Sequence, residues 1–128
     1  MKIYVAARFH EKDEVRRIYK LMIDKGHTIT ADWTKHKNVK PYSDNPKEAG
    51  NYSVEDMQGT LDSDVFIIIS SKEAGGGVSA ELGAAIAHHV ASGKPKVYAV
   101  GPYFDPNAFY FHPSVTRCVS IAEILAEL

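Results

Sequence analysis

The sequence predicts an α/β protein, a flavodoxin/Rossmann-like three-layer sandwich with a five-stranded parallel sheet in the order 2-1-3-4-5. Two observations carry this. Short β-rich runs alternate along the chain with segments of helical period, the pattern of a parallel sheet with helices on both faces. The run Val65-Phe-Ile-Ile-Ile69 is apolar without a break, as a strand covered on both faces must be. Right-handed crossovers then leave few topologies.

Each element can be justified in turn. Lys2 to Ala7 is a first strand. Glu11 to Lys25 places Val15, Ile18, Tyr19 and Met22 on one helix face, and Gly26 follows as a stop. His27 to Trp33 alternates Ile29, Ala31 and Trp33, as a half-buried edge strand does. Residues 34–47 hold two prolines, two asparagines and four lysines and read as a long loop, the kind that serves as a binding loop or lid. A second helix spans about Glu48 to Asp62, with Val54, Met57 and Leu61 as its apolar stripe. After the central strand, Gly75-Gly-Gly77 opens an Ala-rich helix from about Val78 to Ala91, stopped by Gly93 and Pro95. Val97 to Val100 is a fourth strand, and Val115 to Val119 a short segment beyond the 101–113 loop. Ser120 with Glu123 is a capping-box signal for a last helix, Ile121 to Leu128.

Composition bounds the function. A chain of 128 residues is one domain, 1–128, large enough to hold a core without disulfide or metal. Fifteen Lys and Arg against sixteen Asp and Glu give a net charge of -1, which removes the electrostatic reason to expect nucleic acid or an anionic membrane as partner. The single cysteine, Cys118, excludes a disulfide framework and a Cys-rich zinc site. Six histidines show no ligand spacing, and no pattern calls for a cofactor. The apolar run at the N-terminus is too short for a signal peptide or a span, so the expected location is cytoplasmic.

In sheets of this kind ligands bind beyond the carboxyl ends of the strands where the winding reverses, here between strands 1 and 3. Ala6-Ala7-Arg8 and Ser70 to Glu81 meet there. Gly75, Gly76 and Gly77 allow close backbone approach to a ligand and leave N–H groups free at a helix start. Glu81 then falls in the first helical turn, where the macrodipole favours an ionised carboxylate. Such a carboxylate can attack a sugar carbon, or it can be an ordinary first-turn acid. Asp56 lies opposite the apolar stripe of its helix, either a solvated acid or a proton donor over the cleft. Asp64 reads as the end of the same helix. Tyr4, Ala6 and Arg8 share one phase of strand 1, and Arg8 suits a carboxylate or phosphate. Trp33 is a candidate for stacking on a base or sugar.

Taken together, these motifs resemble the nucleoside 2-deoxyribosyltransferase family and the related 2'-deoxynucleoside 5'-monophosphate N-hydrolases. The resemblance runs through Ile3-Tyr4-Val5-Ala6-Ala7, Asp56 eight residues before Asp64-Val65, Gly77-Val-Ser-Ala-Glu81-Leu-Gly-Ala-Ala and Gly93-Lys-Pro. It implies that Glu81 is the nucleophile, Asp56 the second catalytic carboxylate and Tyr4 a contact to the reacting site. Gly75, Gly76, Gly77 and Ser79 would bind substrate together with Ala6, Ala7, Arg8 and Trp33. The implied ligand is a small-molecule nucleoside or nucleotide, and the implied assembly a homodimer or higher homo-oligomer. In such an assembly the late loop Pro106 to His112, with Asn107 and Tyr110, would complete a neighbour's site.

The departures bear on substrate. Transferases carry an acid six positions before the nucleophile and the hydrolases a phosphate-binding serine there, whereas this chain has Gly75. Arg8 stands where the hydrolases have a serine after strand 1. Two other readings stay open. One is a phosphoribohydrolase of the cytokinin-activating type, whose GGxGTxxE motif loosely matches Gly75 to Glu81. The other is a sensor that binds nucleotide without turnover.

Overall fold

The computed structural model describes residues 1–73 and 76–128. Nine regular elements follow in order: β1 (Lys2–Ala6), α1 (Lys12–Asp24), β2 (Thr28–Ile29), α2 (Pro46–Asp62), β3 (Val65–Ile69), α3 (Gly77–Ser92), β4 (Lys96–Val100), β5 (Val115–Cys118) and α4 (Ile121–Glu127). The five strands form one sheet in the order β2-β1-β3-β4-β5, every pair parallel. This is the expected topology, and it puts the reversal of winding between β1 and β3.

Burial explains the layers. Tyr4 pairs in register with Phe66 and stacks on it at 5.8 Å between ring centres. Val65 to Ile68 are all but inaccessible, since helices cover both faces of the sheet. Helices α2 and α3 pack together over one face. On the other face, α1 buries Val15, Ile18, Tyr19 and Met22, the predicted stripe, and α4 buries Ile124. Both halves of the capping box at Ser120 and Glu123 are formed. No helix of the described residues is long and apolar enough to cross a membrane.

Several expectations need correction. The second strand is only Thr28–Ile29, and Trp33–Lys35 forms a 3-10 turn instead. The Asp32 carboxylate accepts from the Thr34 amide at 3.0 Å and the Thr34 hydroxyl at 2.5 Å. These local bonds offer the backbone an alternative to the ladder. Helix α2 begins at Pro46 rather than near Glu48, because proline at N1 gives up an amide that has no helical partner anyway. Two of the three residues of its expected apolar stripe point outward: Val54 is 68% and Leu61 38% exposed, whereas Met57 is half-buried, and Gly59 and Thr60 form the buried side. Asp64 does not cap α2, a position taken by Ser63. Its carboxylate accepts from the Lys2 amide at 2.9 Å and from Lys94 Nζ at 3.1 Å, pinning β1 to the turn before β4.

Gly59 decides how near α2 comes. A Cβ at that position would lie 2.6 Å from Ala31 Cβ and 2.9 Å from Tyr4 Cδ2. Only a hydrogen in that place lets the helix rest on the Tyr4 ring.

Candidate functional site

Beyond the carboxyl ends of β1 and β3 opens a cleft of about 870 Å³. Three elements and one loop build it. Ala7 and Arg8 continue β1, Gly76 to Glu81 open α3, and Ala49, Tyr52, Ser53 and Asp56 form one face of α2. The loop from Trp33 to Tyr42 makes the outer wall. The spacing of the α2 positions, three or four residues apart, is what turns them to the same side.

Glu81 lies on the cleft wall and Tyr4 directly behind it. The Tyr4 hydroxyl donates a short hydrogen bond to Glu81 Oε1. Tyr4 is itself fully buried and does not line the cleft, so its influence passes through Glu81. No hydrogen bond from a described residue reaches Oε2, the oxygen left for a ligand. Burial first, then the charges of Glu81 and Asp56, hold the Tyr4 phenol far above its ordinary range, so the hydroxyl keeps its proton.

The two carboxyls share a low-polarity setting. Burial pushes Glu81 up to about 7; the Tyr4 hydrogen bond works against that rise and the Asp56 charge adds to it. Burial likewise lifts Asp56 to about 6, with His36 pulling it down and Glu55 pushing it up. Asp56 Oδ1 is shut off from solvent and has no hydrogen-bond partner among the described residues. Such an oxygen is costly unless a proton or a ligand hydroxyl satisfies it. The sequence reading puts Glu81 in the first helical turn, and the structure does not. Helix α3 starts at Gly77, which moves Glu81 into the second turn, where the macrodipole is weak and burial dominates.

The other expected residues divide. Ala7, Arg8, Trp33, Gly76 and Gly77 line the cleft. Trp33 is fastened by its indole N–H to the Val5 carbonyl at 2.7 Å. Arg8 is engaged with the loop after β3: Nη2 donates to the Glu73 carbonyl at 2.9 Å, and Nε lies 3.4 Å from the Glu73 carboxylate. Gly76, at a φ of +80°, passes so close that a Cβ would sit 3.3 Å from Arg8 Nη1. Gly75 lies outside the described residues. Ala6 is buried in the sheet, and the Ser79 side chain is off the cleft wall.

The late-loop picks, expected to complete a neighbour's site, do not line this chain's own cleft. Asn107 caps a 3-10 turn, its Oδ1 accepting from the Phe109 amide at 2.9 Å. Tyr110 is 5% exposed and packs edge-on against Phe104 at 5.6 Å, so a buried side chain replaces the expected offer to a neighbour. The aromatic side chains this loop exposes are Phe109 and Phe111.

The 34–47 loop, expected to bind or cover a ligand, does wall the cleft, but Tyr52 and Glu55, its partners on α2, escape the sequence reading. His36 stacks on Tyr52 at 3.8 Å with the rings 6° from parallel, and its Nε2 lies 2.9 Å from Glu55 Oε2. The signal available was the recurrence of Ala49, Tyr52, Ser53 and Asp56 at helical spacing opposite the exposed apolar positions.

No protein-family profile matches the chain, and no curated protein does. Among solved structures, the CMP N-glycosidase BcmB of Clostridium botulinum is similar at a TM-score of 0.61. The match covers 99% of this chain and 97% of that one at 14% identity, a likeness of fold.

Proposed function

We propose that this protein breaks the N-glycosidic bond of a nucleoside or nucleoside monophosphate, by hydrolysis or by transfer to a second base. The carrying observation is the Tyr4–Glu81 hydrogen bond with Asp56 beside it, in one cleft at the switch point of the sheet. A carboxylate held by one oxygen presents the other as a nucleophile. In this reading Glu81 Oε2 attacks C1', the C1'–N bond breaks with its electron pair leaving on the base, and a glycosyl ester forms on Glu81. Asp56 steadies the sugar or supplies a proton. Water or another base then attacks C1' and frees Glu81, with retention at the anomeric carbon. The fold likeness to a CMP N-glycosidase supports the bond type and a nucleotide as ligand.

The chain would work as a single domain and without a cofactor. A homo-oligomer is part of the proposal, with Phe109 and Phe111 rather than Tyr110 as the aromatic side chains the late loop offers a neighbour.

The test is chromatography after incubation with a panel of nucleosides and nucleoside monophosphates, with and without free acceptor base. Base release that needs Glu81, and a mass increase of one glycosyl group on Glu81 in quenched samples, are expected. Release undiminished in Glu81→Ala sinks the assignment. A strong preference for ribose monophosphates favours the phosphoribohydrolase reading, and tight binding with no product favours the sensor.

A further inference from the structure

The outer wall of the cleft holds a histidine clamped from α2. His36 comes from the loop after the 3-10 turn at Trp33–Lys35, yet its ring is fixed from α2. Tyr52 covers one face of the ring, and Glu55 takes Nε2 at 2.9 Å. The side chain is only 14% exposed. A carboxylate on one imidazole nitrogen keeps the proton there and settles what the other nitrogen can do. No hydrogen bond from a described residue engages Nδ1, and His36 lines the same cleft as Glu81.

We propose that His36 is a catalytic residue of this cleft: held by Tyr52 and Glu55, its Nδ1 gives a proton to the leaving base. The proposal rests on the N-glycosidase reading above and names the group that serves its leaving-group side. The balance is complete. As Glu81 Oε2 bonds to C1', the C1'–N electron pair goes to the base, which takes the Nδ1 proton and departs neutral. The imidazole is left neutral with Nε2–H on Glu55. In the second half, Nδ1 takes a proton from the water attacking C1', the ester bond breaks back to the Glu81 carboxylate, and the imidazolium is restored.

Two further observations favour this division of labour. Asp56 feels the charge of His36, and Glu81 that of Asp56, so Asp56 sits electrostatically between the two. Burial raises both carboxyls, and the Asp56 charge raises Glu81 further, so one of the pair is poorly suited to serve as acid while the other stays ionised. A separate proton donor leaves Asp56 Oδ1, unpaired among the described residues, for a sugar hydroxyl. The groups around His36 are Tyr52, Glu55 and Asp56 of α2, with Lys35 and Lys37 of its own loop.

The experiment compares the parent, His36→Gln and Glu55→Gln on two substrates with the same sugar. One carries the natural base; the other carries 4-nitrophenolate, which leaves as a stable anion and needs no proton. His36→Gln should lose on the order of 100-fold or more on the natural base, the usual range for a general acid, and little on the nitrophenyl glycoside. Glu55→Gln, which frees the ring, should also lose on the natural base and little on the nitrophenyl glycoside. Equal losses on both substrates, for either variant, overturn the proposal. Ring NMR signals of His36 titrated with free adenine, cytosine and hypoxanthine give a readout without turnover. Perturbation at Glu81 and Asp56 with none at His36 also overturns it. If the parent cleaves neither substrate and binds no base, the N-glycosidase reading itself has failed.

Discussion

The Tyr4 hydroxyl, in the middle of the sheet, donates its hydrogen bond to Glu81 on the helix above, seventy-seven residues away along the chain. One oxygen of the carboxylate is thereby held against the core while the other faces the cleft. The bond also opposes the burial that would otherwise keep Glu81 protonated. Tyr4, buried behind the cleft wall, thus governs how much of Glu81, the proposed nucleophile, is ionised near neutral pH.

Tyr4→Phe therefore raises the Glu81 pKa above about 7. The acid limb of kcat/KM moves to higher pH, and the rate at pH 6 falls roughly tenfold, since hydrogen bonds to charged groups contribute ~1.5–3 kcal/mol. Asp56→Asn removes a like charge and moves the same limb to lower pH, whatever it does to the maximal rate. A pH–rate profile of the two variants checks both directions. Limbs moving the same way would contradict the assigned electrostatics.

Burial of these carboxyls also fixes how stability depends on pH. Glu81 rises from 4.5 to about 7 on folding, and Asp56 from 3.8 to about 6. The folded protein binds these protons more tightly, so this contribution is full below pH 4 or so and is lost as pH rises through 6 to 7. Glu81→Gln, neutral at every pH, should be more stable than the parent at pH 8 by about 3 kcal/mol and no more stable at pH 4. Thermal unfolding at the two pH values reads this directly. An equal gain at both, or none at pH 8, contradicts it.

Gly59→Ala tests the close approach of α2. The added methyl meets Ala31 Cβ and the Tyr4 ring at distances that real contacts do not reach. Overpacking of this kind costs about 1–3 kcal/mol, against a helix-propensity gain of about 1. A net fall in Tm is expected, with a Glu81 titration displaced in the Tyr4→Phe direction as the ring shifts. An unchanged or higher Tm would show that the helix can move away freely.

How much of this was legible beforehand depends on what each residue answers to. β1, β3 and α1 follow from local pattern: continuous apolar runs and a 3.6-residue period need no partner to be read. The capping box is equally local. The α2 face was misjudged because Val54 and Leu61 suggested burial that no element of the chain provides, while glycine and threonine form the packed side. Asp56 is expected opposite the stripe; Val54 and Leu61 do face outward, but Met57, the third stripe residue, lines the cleft beside Asp56. The late loop misled in another way. The resemblance implies that Tyr110 reaches a neighbour, but it is buried and packs edge-on against Phe104.

The sequence by itself determined the strand order, the place where the sheet reverses and a glutamate near a glycine-rich helix start, since alternation, crossover handedness and backbone freedom are properties of the chain. Only the tertiary structure decided that Tyr4 lies behind Glu81, that Asp56 turns inward and that His36 is clamped by Tyr52 and Glu55. Those relations join residues from separate elements, and their charges depend on how much water the packing excludes, which no local pattern encodes.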